Sequence, residues 1–471
     1  MAAIKRLIQS SLAWQLYLYF TQTAVPALFK LWDESGVMRL WRLFDAKIIQ
    51  SRPVQYLINP KYISEAWYAS FFYQSMTRNI RRLGLVLPAA SLPFRSEYLG
   101  FFLMLVLLLP ASLTGNVYIL PLFLALALAY TSHALRSRAG VVFVMVNYII
   151  AFFLLLLALA VPLKAFTTLC YLLLAIDFFF LVSFSIQNLK DLQRLLACVY
   201  VLLFALCAYA ILQEPGYSGV RGVFKDSASF AEILIILFPF ALVYPLSCTG
   251  GLRRFLYLGL LLILTFTVVT ATRSKAALIG FSIELLLVIL LTDIRYLPLL
   301  LFLAPAVTGT AIDNIAAMFE KHATYGNFFE NIFYACRDFW NNGFGLSRAT
   351  FLDIYHSTAL DAETGHAVLD IPYVQISPIY FNLLIDAGTI VLFGFLYYIL
   401  RLAHSALTSL FTAAPEHRPV FAAGLAMLVG ISVSALFEST LLSPRALIAY
   451  WGMLGILRAM RVIKFDVLAC H

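Results

Sequence analysis

The sequence predicts an all-α, polytopic membrane protein with about twelve transmembrane helices. Three observations carry that prediction. The 471 residues are 62% hydrophobic and only 12% charged, with a mean hydropathy of +0.89. Apolar windows of span length recur from residue 98 onward, and basic residues fall on alternate loops between them. A soluble chain of this length has too little interior to bury so much apolar surface. Phe (40) and Tyr (25) are abundant, as lipid-facing and interfacial positions require. The net charge of +9 belongs to cytoplasmic loops facing anionic headgroups rather than to nucleic acid, because no soluble basic domain carries it.

Residues 1–95 differ from the rest. They hold 12 of the 33 Lys and Arg residues, 4 acidic residues, and the tryptophans Trp14, Trp32, Trp41 and Trp67. No window there reaches the roughly 20 uninterrupted apolar residues of a span. Short amphipathic helices with Trp and basic faces lie on a membrane surface rather than cross it. This segment therefore reads as a basic interfacial platform on the cytoplasmic leaflet, with a poorly ordered basic tail as the plainer alternative. After Lys5 and Arg6 the apolar stretch is short and broken by Gln9, Gln15 and Gln22, unlike a signal peptide.

The transmembrane domain is placed at 96–471. Its spans are predicted near 98–114, 117–132, 140–163, 166–186, 192–212, 227–247, 255–271, 276–292, 296–312, 377–400, 419–437 and 441–458. With the N-terminus inside, Arg136 and Arg138, Lys190 and Arg194, Arg253 and Arg254, Arg295, Arg401 and Arg418, and Arg458, Arg461 and Lys464 all fall inside. That distribution obeys the positive-inside rule and puts both termini in the cytoplasm. A large extracytoplasmic loop, 313–376, follows the ninth span. It carries eight acidic residues against Lys321, Arg337 and Arg348, and its aromatics predict a small folded cap. Cys170, Cys198 and Cys207 lie within spans, and Cys336 is the lone outer-loop cysteine, so no disulfide framework is predicted.

The exceptions to the charge rule are the chemically interesting residues. Outside the long loop, the outer face carries Lys164, Arg221, Lys225, Arg273, Lys275 and Arg445. Four of these form two pairs, Arg221 with Lys225 before the sixth span and Arg273 with Lys275 in the tight turn after the seventh. A charge near the hydrocarbon boundary is unfavourable unless it snorkels or is paired, so such residues are functional candidates. An arginine fork matches two oxygens of a diphosphate at once. No metal constellation, Walker-type loop or dinucleotide fingerprint is present in the sequence. Asp361 and Glu363 are the closest acidic pair of the loop and read as solvated. His356 and His366 have the chemistry of a general base, though a loop histidine is more often incidental. Asp177, Glu232, Glu284 and Asp386 fall within spans and Glu438 at a span end. They form no obvious relay in the sequence.

Taken in order, these motifs resemble the O-antigen ligase and polymerase-like superfamily of bacterial membrane glycosyltransferases. The resemblance rests on Arg221-Gly222-Val223-Phe224 before a mid-chain span and Thr272-Arg273-Ser274 in a short outer turn. It continues with Asn342-Gly343-Phe344-Gly345-Leu346-Ser347 in the loop and Leu383 to Gly388 at the start of the next span. It covers roughly 195–460.

The resemblance implies a GT-C-like fold acting on polyprenyl-diphosphate-linked glycans at the outer face of a bacterial cytoplasmic membrane. Arg221 and Arg273, joined by Lys225, Lys275 and Arg445, would hold the donor diphosphate and stabilise it as it leaves, without metal or cofactor. The acceptor is a glycan or glycolipid. Ligases of this kind carry a His eleven residues before the span-start glycine; here that position is Ser377. A serine is no base on its own near neutral pH. Either His366 or His356 substitutes, or the acceptor chemistry differs, with polymerisation on the same donor as the alternative. A polysaccharide or lipid-linked glycan transporter is the rival from another class, and a non-catalytic assembly protein the third reading.

Overall fold

Long apolar windows become helices because in hydrocarbon a backbone polar group has no partner outside its own segment. The computed structural model describes residues 34–50, 188–213, 219–247 apart from 225, 251–292, 379–414, 417–436 and 443–469. Single positions between 27 and 186 and residue 441 are also described. Among the described residues there are eight helices: α1 (Gly36–Gln50), α2 (Leu189–Gln213), α3 (Ser227–Leu246), α4 (Gly251–Thr272), α5 (Lys275–Thr292), α6 (Ile379–Thr412), α7 (Arg418–Ser434) and α8 (Pro444–Ala469). The predicted spans 117–132, 140–163 and 296–312 and the loop 313–376 lie outside the described residues, as do almost all of 98–114 and 166–186.

Helices α2, α3 and α4 are long and apolar enough to cross a membrane; α5 and α7 contain shorter apolar helices. The 25 residues of α2 extend about 38 Å and the 20 of α3 about 30 Å, the thickness of a bilayer core. Seven predicted spans coincide with α2–α8 at their starts to within four residues. The ends of α6 and α8 differ, running past residues 400 and 458 to Thr412 and Ala469. Arg401 and Arg458 close the apolar window, but a charge does not break a helix, so the helix outlasts the window.

Helix starts follow the sequence closely. Asn188 Oδ1 accepts from Asp191 N–H at 2.9 Å before α2, and Asp226 Oδ1 accepts from Ser229 N–H at 2.6 Å before α3. Ser274 Oγ accepts from Ala277 N–H at 3.1 Å before α5. Such side chains satisfy donors that an unfinished first turn leaves open. Pro444 opens α8, where its missing N–H is harmless.

The chain divides into two compact units, Met1–Leu87 with Thr131–Val146, and Pro88–Tyr130 with Asn147–His471. In the first, α1 is capped by Ser35, whose Oγ accepts from Met38 N–H at 3.2 Å. It exposes Leu40, Leu43 and Phe44 at helical spacing, beside exposed Arg39, Arg42 and Lys47. That is the composition of a surface-lying amphipathic helix.

In the second unit α3 is the central helix, packed against α2, α4, α5, α7 and α8. Residues Ile233 to Phe238 are wholly buried, and the Phe238 ring meets Phe281 of α5 at 4.4 Å between centroids. By contrast α2 and α4 leave Leu212, Phe255 and Ile263 exposed, the outward faces of a bundle in an apolar solvent. The core is not purely apolar. Glu232 of α3 and Glu284 of α5, which read from the sequence as isolated charges, are both buried and act electrostatically on one another.

Candidate functional site

Hydrogen bonds across the bundle gather four loops at one end of it. Gly219 and Val220 both donate to the Ala271 carbonyl, at 3.1 and 3.2 Å. This ties the segment before α3 to the last turn of α4. Ile379 N–H donates to Ala435 O at 3.0 Å, tying the start of α6 to the end of α7. Arg445 of α8 donates to Val223 O at 3.3 Å, tying α8 to the segment before α3. The starts of α3, α5, α6 and α8 and the ends of α4 and α7 thus share one end of the bundle. Helices of both directions meet there, so their dipoles largely offset and the side chains carry the net charge.

The Arg221 segment is built by its glycines. Gly219 and Gly222 have φ of +72° and +54°, left-handed values at which an L side chain is strained. Between them Arg221 is exposed, and its carbonyl accepts from Phe224 N–H at 2.9 Å to close the turn. Phe224 then stacks on Phe230, with centroids 5.3 Å apart and planes at 18°. That contact, with the Asp226 cap, holds the loop against the first turns of α3.

Arg273 sits at the tip of the α4–α5 hairpin. It is the only non-glycine residue with positive φ among the described residues, at +56°. Its N–H donates to Thr270 O at 3.2 Å, and its side chain is exposed. A non-glycine left-handed residue is unfavourable by about 1–2 kcal/mol. A glycine would fit the turn better, so the arginine is retained against local backbone preference.

Arg445 differs from both. It is 7% exposed, donates to Val223 O, and places its guanidinium carbon 4.9 Å from the Phe224 ring centroid. A guanidinium over an aromatic face is an attractive, partly desolvated contact. The sequence groups Arg445 with the outer-face cations; the structure makes it part of the wall that fixes the Arg221 turn. Lys275 is the first residue of α5, at the same end, and its side chain lies outside the described residues. Lys225, His356, His366 and Ser377 also lie outside the described residues. Ile379, two residues after Ser377, is at this end of the bundle.

Three residues that the sequence places inside the arginine motifs without a role of their own organise the site. Phe224 is the surface on which Arg445 rests, Ser274 caps α5, and Thr272 Oγ1 donates to Val269 O at 2.7 Å beside the Arg273 turn. Ser274 was legible as a cap from its place just before an apolar run. The Phe224 contact, spanning distant parts of the chain, had no local signal. The arrangement presents exposed cations on loops braced by long-range hydrogen bonds, which suits an anionic ligand with two or more oxygens. No protein-family model matches the chain, and no curated protein matches it either.

Proposed function

We propose that the protein transfers a polyprenyl-diphosphate-linked saccharide to an acceptor glycan or glycolipid, as an O-antigen ligase-like glycosyltransferase. In this reading the chain has about twelve spans and a GT-C-like fold in a bacterial cytoplasmic membrane. The end that gathers Arg221, Arg273 and Arg445 faces outward. The single observation that carries the reading is that gathering: three arginines from separate parts of the chain on loops cross-braced at one end of an apolar bundle.

The chemistry follows from the charge. The bond between the anomeric carbon and the diphosphate oxygen breaks, and the diphosphate leaves with added negative charge. Arg221 and Arg273, exposed at this end, meet that charge as it develops, and Arg445 holds the Arg221 turn in place. The acceptor hydroxyl oxygen bonds to the anomeric carbon and passes its proton to a base, for which His366 and His356 are the candidates beside Ser377. Chain polymerisation on the same donor uses the same grip and differs only in the acceptor.

The test is glycan transfer in vitro from a polyprenyl-diphosphate donor, comparing wild type with Arg273→Ala. Absence of transfer by the wild type sinks the proposal, and full transfer by the variant removes Arg273 from the site. In cells lacking the protein, accumulated long lipid-linked polymer indicates a ligase and single-repeat products a polymerase. Purified protein that moves glycolipid across vesicles without forming a glycosidic bond indicates the transporter instead.

A further inference from the structure

Helix α1 carries more apolar surface than the fold covers. Met38 is 3% exposed, and Trp41 and Asp45 are half-buried, so that side of the helix is packed. At 3.6 residues per turn, Leu43, Lys47, Leu40 and Phe44 follow one another around about 100° of the opposite side. Leu40 is 69% exposed, Leu43 63% and Phe44 56%, and Lys47 among them is exposed as well. Arg39 and Arg42, also exposed, border the Leu43 edge. Of the described acids, Glu34 stands before the helix begins and Asp45 on the packed side.

A single exposed leucine is ordinary in a folded protein, but three contiguous large apolar side chains bordered by cations are not. The apolar arc of α1 is thus divided in two, one part packed and the other turned outward. The outward part fits a surface with an apolar interior and an anionic rim. Leucine and phenylalanine enter the acyl boundary there, while Arg and Lys stems lie along it and carry their charges to lipid phosphates. A second copy fits this face poorly. Isologous pairing would set Arg39, Arg42 and Lys47 of one copy against the same three of the other. A nucleic acid would meet the cations and leave the apolar side chains in water. Helices α2, α3 and α4 of the same chain are long and apolar enough to cross a membrane. A bilayer that they cross stays tethered to α1, which raises its effective concentration at this face.

We infer that α1 docks on an anionic phospholipid surface, with Leu40, Leu43 and Phe44 in the acyl boundary and Arg39, Arg42 and Lys47 on headgroup phosphates. Met38 and Trp41 stay on the packed side, so α1 reaches the lipid as part of a folded body rather than as a lone tail. The docking face shares no residue with the arginine end of the α2–α8 bundle, and its test does not depend on glycan transfer.

The probes are phosphatidylglycerol and phosphatidylcholine carrying the same photoreactive diazirine, each placed at the same fraction in nanodiscs that hold the full-length protein. Peptide mass spectrometry is expected to find adducts on residues 40–44. Those from phosphatidylglycerol should exceed those from phosphatidylcholine by about tenfold or more, the scale set by several cations beside an anionic surface. Arg39→Gln together with Lys47→Gln should lower phosphatidylglycerol labelling by about tenfold, and Arg39→Lys should retain it. Leu40→Ser together with Leu43→Ser should lower labelling by both lipids. Equal labelling of the wild type by the two lipids overturns the headgroup recognition, and no adduct on α1 with either lipid overturns the docking. Cross-links between the α1 helices of two copies, in place of lipid adducts, assign the face to a second copy and overturn the inference. If a double variant does not fold, the comparison of the two lipids on the wild type decides.

Discussion

The two ends of the α2–α8 bundle treat arginine in opposite ways. At one end three arginines make local contacts, while Arg458 lies over the Phe179 ring, 5.6 Å from its centroid. Arg254 donates to Leu246 O, Arg418 to Ala413 O and Arg401 to the Tyr397 hydroxyl, at sequence separations of 8, 5 and 4 residues. Arg254 and Arg418 satisfy open carbonyls at the end of the preceding helix and Arg401 meets a hydroxyl one turn earlier in α6, contacts that a membrane bundle needs at its boundary. At the other end Arg445 reaches across 222 residues to Val223 O, and Arg273 is held at φ +56°. One set is placed by local sequence and needs no ligand to account for it. The other requires the tertiary fold to bring it together and a strained turn to display it. Arginines that cost the backbone something are better candidates for function than arginines that solve a local problem.

That contrast can be broken at several points, and the largest expected effect is on activity. Arg273→Ala should reduce transfer from a polyprenyl-diphosphate donor by roughly 100-fold or more, the scale of one contact made in the transition state. A loss of under about threefold in initial rate would place Arg273 with the snorkelling arginines of the other end. Arg445→Met removes the hydrogen bond to Val223 and the contact with Phe224, together worth about 1–3 kcal/mol. Its expected signature is lower thermal stability in detergent together with weaker donor binding, because the Arg221 turn loosens. Unchanged binding would separate Arg445 from the site.

Backbone strain sharpens the comparison at smaller scale. Gly222→Ala forces a side chain into φ +54° against the Phe230 ring, 3.5 Å from the new β-carbon, and should destabilise by about 1–2 kcal/mol. Thermal unfolding reads that directly. Arg273→Gly relieves the left-handed turn, so it should unfold no earlier than wild type, with a gain of up to about 1 kcal/mol. Its transfer activity should fall as far as that of Arg273→Ala. Stability and activity moving in opposite directions at one residue distinguishes a functional arginine from a structural one. At the other end Arg253→Gln should change stability by less than about 0.5 kcal/mol, because the side chain is exposed. Its transfer rate should stay within twofold of wild type, and a large loss there would erase the distinction between the ends.

Helices were the most legible part of the fold. The starts of α3 and α5 are within a residue of the apolar windows at 227 and 276, because Asp226 and Ser274 are both hydropathy boundaries and caps. The ends of α6 and α8 were not legible, since Arg401 and Arg458 end an apolar window without ending a helix. Of the candidate site, Arg221 and Arg273 were legible as charges on the unexpected side of a span. The role of Arg445 was not. Beside Pro444 it looks like any basic residue at a span boundary, and the Phe224 ring beneath it lies far away in sequence. Glu232 and Glu284 were read as separate charges for the same reason. Gly280 and Gly430, each four residues before a buried polar residue, were the available hint of a close helix crossing.

The sequence by itself determined that this chain forms long apolar helices, where most of them begin, and which arginines depart from the charge pattern. Those properties are set by residues within a turn or two of one another and by the exclusion of water from a bilayer. Only the tertiary structure decided which helix ends meet, that Arg445 braces the Arg221 turn, and that two glutamates are buried within the bundle. Partners 52 and 222 residues apart are chosen by how side chains pack across helices, and no local pattern records that choice.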